Sequence, residues 1–155
     1  MSRRVRPTLS TLSLVSVAAL SLLAAAPAPA RQDDPTQPVF HDFKGVSIGM
    51  SAQESRQKLG SPSDKSDALD LYEVSDKQTV QVFYDAGKVS AIAVVFMKPG
   101  ADVPAPKAVV GTDIEARADG SLYKMVRYPK AGYWVSYSRT AGDAPIVSIT
   151  MQKIN

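Results

Sequence analysis

The segment Ser51 to Pro62 encodes a short helix together with both of its ends, and the rest of the chain has to be built around it. In Ser51-Ala52-Gln53-Glu54 the Ser51 hydroxyl can accept from the Glu54 amide while the Glu54 carboxylate reaches back to the Ser51 amide, which is a capping box. The spacing predicts a helix from about Ala52 to Leu59. Gly60 suits the left-handed position beyond its end, and Pro62 cannot continue it. After the turn-like Ser61 to Ala68 the hydrophobic period changes from about 3.6 to 2. Strands are predicted at Leu69 to Val74, Thr79 to Tyr84 and Val89 to Met97, with Asp85-Ala86-Gly87-Lys88 as the hairpin turn between the second and third. Val89 to Met97 is apolar at successive positions, the pattern of a central strand covered on both faces.

The second half follows the same order in weaker form. Pro99 to Pro106 is a connector, and Ala105 to Val110 reads as a stub of helix stopped by Gly111. An extended Asp113 to Ala118 follows, then strands at Leu122 to Tyr128, Tyr133 to Arg139 and Ile146 to Lys153, separated by turns. Upstream, Val39 to Phe43 reads as a short strand. The class expected is α+β: a short capped helix followed by antiparallel strands, repeated twice with a period of about 55 residues, the helices on one face of a sheet of about six or seven strands. The division is a signal peptide at 1–30, a flexible polar leader at 31–38, a first helix-plus-strands repeat at 39–98, the connector at 99–106 and a second, degenerate repeat at 107–155. Residues 39–155 together make one domain.

Composition enters mainly through what it removes. Met1 to Ala30 carries Arg3, Arg4 and Arg6 and no acid, then an apolar run to Ala26, then Pro27-Ala28-Pro29-Ala30, the layout of a secretory signal cleaved near Ala30; an uncleaved anchor is the alternative. The chain has 18 Lys and Arg against 15 Asp and Glu, so removing those three arginines leaves 15 against 15. The basic balance belongs to the signal, and no nucleic-acid-binding surface is expected. With no cysteine there is no disulfide, no thiolate metal site, no Cys nucleophile and no lipid anchor on a Cys. The expected address is periplasmic or secreted.

Gly49-Met50-Ser51-Ala52-Gln53-Glu54, followed by Leu59-Gly60-Ser61-Pro62, resembles the signature of the SmpA/OmlA (BamE-like) family of small outer-membrane assembly lipoproteins, over Gly45 to about Phe96. That family's fold is similar to the repeats of the β-lactamase inhibitor protein, in which a short helical segment packs against an antiparallel sheet. The resemblance implies that fold and a habit of binding other proteins. The chain departs from the family in having no lipidated Cys and in carrying a possible second repeat, nearer to the tandem arrangement of the inhibitor proteins.

Nothing in the sequence assembles a catalytic, cofactor or metal site. Asp64, Asp67 and Asp70 lack the Gly and late Glu of a calcium loop and read as solvated turn acids. Ser136 and Ser138 have no Gly-x-Ser-x-Gly elbow, and the single His41 reads as a surface residue. The aromatic cluster is the candidate partner surface. Period 2 puts Tyr133, Val135, Tyr137 and Arg139 on one face and Trp134, Ser136 and Ser138 on the other. An exposed first face would make Tyr133, Tyr137 and Arg139, with Tyr128 and Arg127, a protein-binding hot spot; the bland alternative is cross-strand packing. The function expected is a non-catalytic protein-binding module of the cell envelope. The alternatives are an inhibitor of a secreted hydrolase and a small enzyme.

Overall fold

The computed structural model describes residues 37–154; the segment read as a signal peptide, and all but the last two residues of the leader, lie outside the described residues. Two helices, α1 (Ala52–Leu59) and α2 (Pro106–Val110), accompany seven strands: β1 (Asp64–Lys65), β2 (Leu69–Ser75), β3 (Gln78–Asp85), β4 (Lys88–Met97), β5 (Leu122–Tyr128), β6 (Tyr133–Arg139) and β7 (Ile146–Lys153). The strands form one antiparallel sheet in the order β1-β2-β3-β4-β7-β6-β5. The class is α+β.

Helix α1 has the bounds its sequence encodes. Ser51 Oγ accepts from the Glu54 amide at 3.2 Å, and Glu54 Oε2 accepts from the Ser51 amide at 3.1 Å and from its hydroxyl at 2.7 Å. These hydrogen bonds hold the Glu54 carboxyl below its ordinary pKa. Gly60 ends the helix as expected, but at φ 87° and ψ −159°, which is not the left-handed helical position but a region open essentially to glycine alone. Ser51→Ala removes one half of the box and is expected to cost about 1 kcal/mol, read as a lower denaturant midpoint at unchanged slope.

The residues before the helix tie it to the sheet. The Gly49 amide donates to the Val89 carbonyl, the Val89 amide to the Met50 carbonyl and the Ala52 amide to the Gly87 carbonyl, at 2.8, 2.8 and 2.9 Å. The Gly49-Met50-Ser51 signature therefore docks backbone to backbone onto the start of β4. The β3–β4 hairpin turns through Ala86 (φ 48°) and Gly87 (φ 74°), two successive positive φ values that match the right-handed twist of the strands.

Alternation along every long strand sends one set of side chains into the core. Val82, Ile92, Met151, Val135 and Val126 lie in one row across five strands, and Val80, Val94, Ile149 and Tyr137 in the next. These rows, with Val46, Val109 and Val110, belong to a single hydrophobic cluster. Ala52, Leu59, Met50 and Ile48 pack against it, half-buried.

Three expectations need correction. Val39 to Phe43 is not a strand: Asp42 Oδ1 accepts from the Gly45 amide at 2.8 Å, and this tight turn leaves one bridge, Phe43 to Val46. Asp113 to Ala118 is irregular, with no strand partner. Strand β4 is central in the sheet, but Val94 and Ile92 are buried whereas Ala93 and Val95 remain half-exposed. Small and β-branched residues on a strand fit a half-exposed face as well as a covered one. Strand β1 was not foreseen, because two exposed residues carry no periodicity.

Candidate functional site

Two places in the fold concentrate polar or aromatic chemistry. The first is a cluster under α1. Asp70 on β2 is fully buried, and its carboxylate accepts from Arg56 Nε at 2.7 Å, from a second Arg56 nitrogen at 2.9 Å and from the Tyr84 hydroxyl at 2.7 Å. Tyr72 adds a longer bond at 3.4 Å, and the Ser55 hydroxyl of α1 lies 2.7 Å from that of Tyr84. Arg56 also donates to the Ser66 carbonyl at 2.9 Å and stacks over the Tyr84 ring, 5.4 Å from its centroid. Burial alone would raise the Asp70 pKa, but the hydrogen bonds from Arg56 and Tyr84 outweigh it and hold the carboxyl below its ordinary range. Burial pushes the Tyr72 and Tyr84 hydroxyls up, so both remain protonated donors.

A carboxylate with no solvent-exposed surface and saturated acceptors cannot reach a substrate. This cluster is a clasp: one side chain from α1 grips β2 and the β1–β2 turn together. It also corrects the reading of Asp70 as a solvated turn acid. Asp64 and Asp67 are exposed, so the three acids do not converge on a cation. Among the described residues no three His, Asp or Glu side chains could hold a metal ion, and no helix is long and apolar enough to cross a membrane. His41 is exposed and pairs with its neighbour Asp42 at 2.8 Å.

The second place is the sheet itself, and here the structure reverses the expectation about faces. Tyr133, Tyr137 and Tyr128 are 8%, 4% and 4% exposed, and all three belong to the hydrophobic core. Tyr128 and Tyr133 pack against each other with ring centroids 6.3 Å apart. Arg139 and Arg127 are exposed. The five residues expected to make one hot spot are thus divided: three tyrosines inside, two arginines outside. The physical reason is volume. The tyrosines share one hydrophobic cluster with Val109 and Val110 of α2, whereas on the other face of the same strand Trp134 and Ser138 are half-exposed and only Ser136 is buried.

That other face runs across the whole sheet. Gln81, Ala93, Thr150, Ser136 and Met125 form one row, and Thr79, Val95, Ser148, Ser138 and Tyr123 the next. The third row carries Phe83, Ala91, Gln152 and Trp134. Small and hydroxyl side chains fill the middle strands β4 and β7, and the large side chains Phe83, Trp134, Tyr123 and Met125 stand on the flanking strands. Charge lies at the margins, at Glu73 and Arg127 and in the Arg117 guanidinium, which stacks over the Tyr123 ring 5.3 Å from its centroid. Tyr123 and Met125 are 45% and 42% exposed.

Comparison of the chain with protein-family models, with curated proteins and with solved structures finds no match in any of the three. The geometry of this face therefore stands by itself. Sequence alternation contained both faces; the missing signal was which of them enters the core.

Proposed function

We propose that this chain is an exported, non-catalytic protein-binding module of the bacterial cell envelope, which docks a protein partner on the Trp134 face of its sheet. The observation that carries the reading is that face: broad, half-exposed and nearly free of charge, with aromatic and thioether side chains flanking a floor of Ser, Thr and Ala. Depletion of charge with enrichment of aromatic residues and Met is the composition of the buried centre of protein interfaces. The hydroxyls of Ser138, Ser148 and Thr150 offer hydrogen bonds that a mainly apolar partner surface with a few polar groups would complete.

Two features support an internal duplication, the tandem arrangement of the inhibitor proteins rather than the single repeat of the SmpA/OmlA family. The strand order is palindromic, β2-β3-β4 followed by β7-β6-β5, and each trio follows one helix in the chain. Such an order arises when two copies of one unit pair through their last strands. Both helices on one face is the arrangement favoured by Ser55 and Arg56 meeting Tyr84 and Asp70, while Val109 and Val110 enter the same core cluster.

Capture of a protein from the envelope fraction by the purified chain tests the reading, with Thr150→Arg as the variant. That substitution adds a long charged side chain to the floor without removing a core contact. Expected is loss of capture at unchanged thermal midpoint. Equal capture by wild type and variant sinks the assignment of this face.

A further inference from the structure

The sheet has two unlike edges. One ends in β1, two exposed residues, Asp64 and Lys65, too short to template another strand. The other ends in the full length of β5. Which of its backbone groups point outward follows from the ladder. The Ile154 amide donates to the Gly132 carbonyl and the Thr140 amide to the Ile146 carbonyl, so the even-numbered residues of β6 face β7 and the odd-numbered ones face β5. In the β5–β6 register the odd residues of β6 pair with Leu122, Lys124, Val126 and Tyr128. The amides and carbonyls of Tyr123, Met125 and Arg127 are left on the open edge. Among the described residues, Ser121 at its start is the one that is used: its carbonyl accepts from the Arg117 amide at 2.8 Å and its amide donates to Asp119 at 2.9 Å.

We propose that this edge pairs, antiparallel, with the same edge of a second copy of the chain, about a two-fold axis at Met125. Outward groups can meet outward groups in registers centred on each residue from Tyr123 to Arg127. The one centred on Tyr123 sets Met125 against Ser121, whose groups are used, and the one centred on Arg127 sets it against Pro129. Centred on Lys124, the pairing sets Lys124 directly against Lys124 of the second copy, a like-charge contact. Centred on Val126, it sets Tyr123 against Pro129, which has no amide hydrogen to donate. Centred on Met125, it sets Tyr123, whose ring already carries the Arg117 guanidinium 5.3 Å from its centroid, opposite Arg127, Met125 opposite itself and Lys124 opposite Val126. It is the register that pairs the most outward residues without setting identical charges or Pro129 directly opposite one of them. Charge balance permits the approach, since Arg31 to Asn155 carries 15 basic and 15 acidic residues and so no net self-repulsion. The blunt β1 edge makes the assembly a closed dimer instead of a growing fibre. The contact is small, so the dimer is a weak one, dissociating on the order of 100 μM.

The chain has no cysteine, so any single Cys variant can be linked only between copies. Residues opposite in a hydrogen-bonded pair have Cα atoms about 5.5 Å apart, within disulfide reach. Met125→Cys is therefore expected to give a covalent dimer on mild oxidation. Tyr123→Cys is not, because its two copies stand four residues apart along the strands, about 13 Å. Met125→Lys is expected to weaken self-association at least tenfold by sedimentation equilibrium, with circular dichroism and thermal midpoint unchanged, since its side chain is exposed. A wild-type chain that remains monomeric up to about 1 mM overturns the proposal. So does equal linking through positions 123 and 125, or a Met125→Lys variant that associates as wild type does.

Discussion

Arg56→Met lowers the free energy of unfolding by about 3 kcal/mol or more, the cost of leaving a buried carboxylate without its cation. Asp70 is fully buried while the Arg56 side chain is 24% exposed, so nearly all of the penalty falls on the acid. The tyrosine hydroxyls that remain can donate to Asp70 but cannot neutralise it. The measurement is urea unfolding of wild type, Arg56→Met, Asp70→Asn and the double variant. The double variant should be less destabilised than the sum of the singles, because removing both partners leaves no uncompensated charge. Additive losses would show that the two residues act independently.

The same group sets a pH signature with a definite sign. In the wild type the Asp70 pKa is lower folded than unfolded. Its contribution is therefore present above the unfolded value, about 3.9, and is lost as pH falls through the folded value. In Arg56→Met, burial is the largest influence and is opposed only by the tyrosine hydroxyls, so the folded pKa rises and that variant regains stability as Asp70 protonates. The gap between the two proteins should be widest at neutral pH and narrow below about pH 4. A gap that stays constant across that range would show that Asp70 is not the titrating group.

Tyr137→Ala should cost about 3–5 kcal/mol, the range for emptying an aromatic-sized volume in a packed core. Its side chain sits in the row of Val80, Val94 and Ile149 and is 4% exposed. Tyr123→Ala, one strand away on the opposite face, should change stability by no more than about 0.5 kcal/mol. Thermal or urea unfolding of the two variants side by side reads the face assignment directly. Equal effects would mean that the sheet buries both faces alike. The comparison also limits how binding can be tested: truncating Tyr133 or Tyr137 would abolish binding by unfolding the domain, whichever face the partner uses.

Much of the architecture was legible because its signals are local. A capping box needs only residues three apart, so α1 has the bounds read from Ser51, Glu54, Gly60 and Pro62. Strands β5, β6 and β7 begin and end where alternation and turn residues place them, and Gly111 stops α2 as expected. The misses were non-local. Asp70 looks like its neighbours Asp64 and Asp67 until the chain brings Arg56 back over it, a contact between residues fourteen apart. The Val39–Phe43 segment has strand-like composition, but Asp42 and Gly45 close a turn that extended backbone cannot share.

The faces of the sheet show most clearly where local information stops. A period of two assigns Tyr133, Val135 and Tyr137 to one side and Trp134, Ser136 and Ser138 to the other from the sequence alone, because successive side chains on a strand must point oppositely. It contains nothing about which side is inside. Both sides carry aromatic rings, and the side with hydroxyls can serve as a half-covered surface as well as the side with tyrosines. Packing makes the choice: Val46 and the α2 residues Val109 and Val110 join the core that holds the tyrosines, and among the described residues Trp134 and Ser138 on the other side of the strand stay half-exposed. Element boundaries are properties of neighbouring residues, whereas the inside of a sheet is a property of what is stacked upon it.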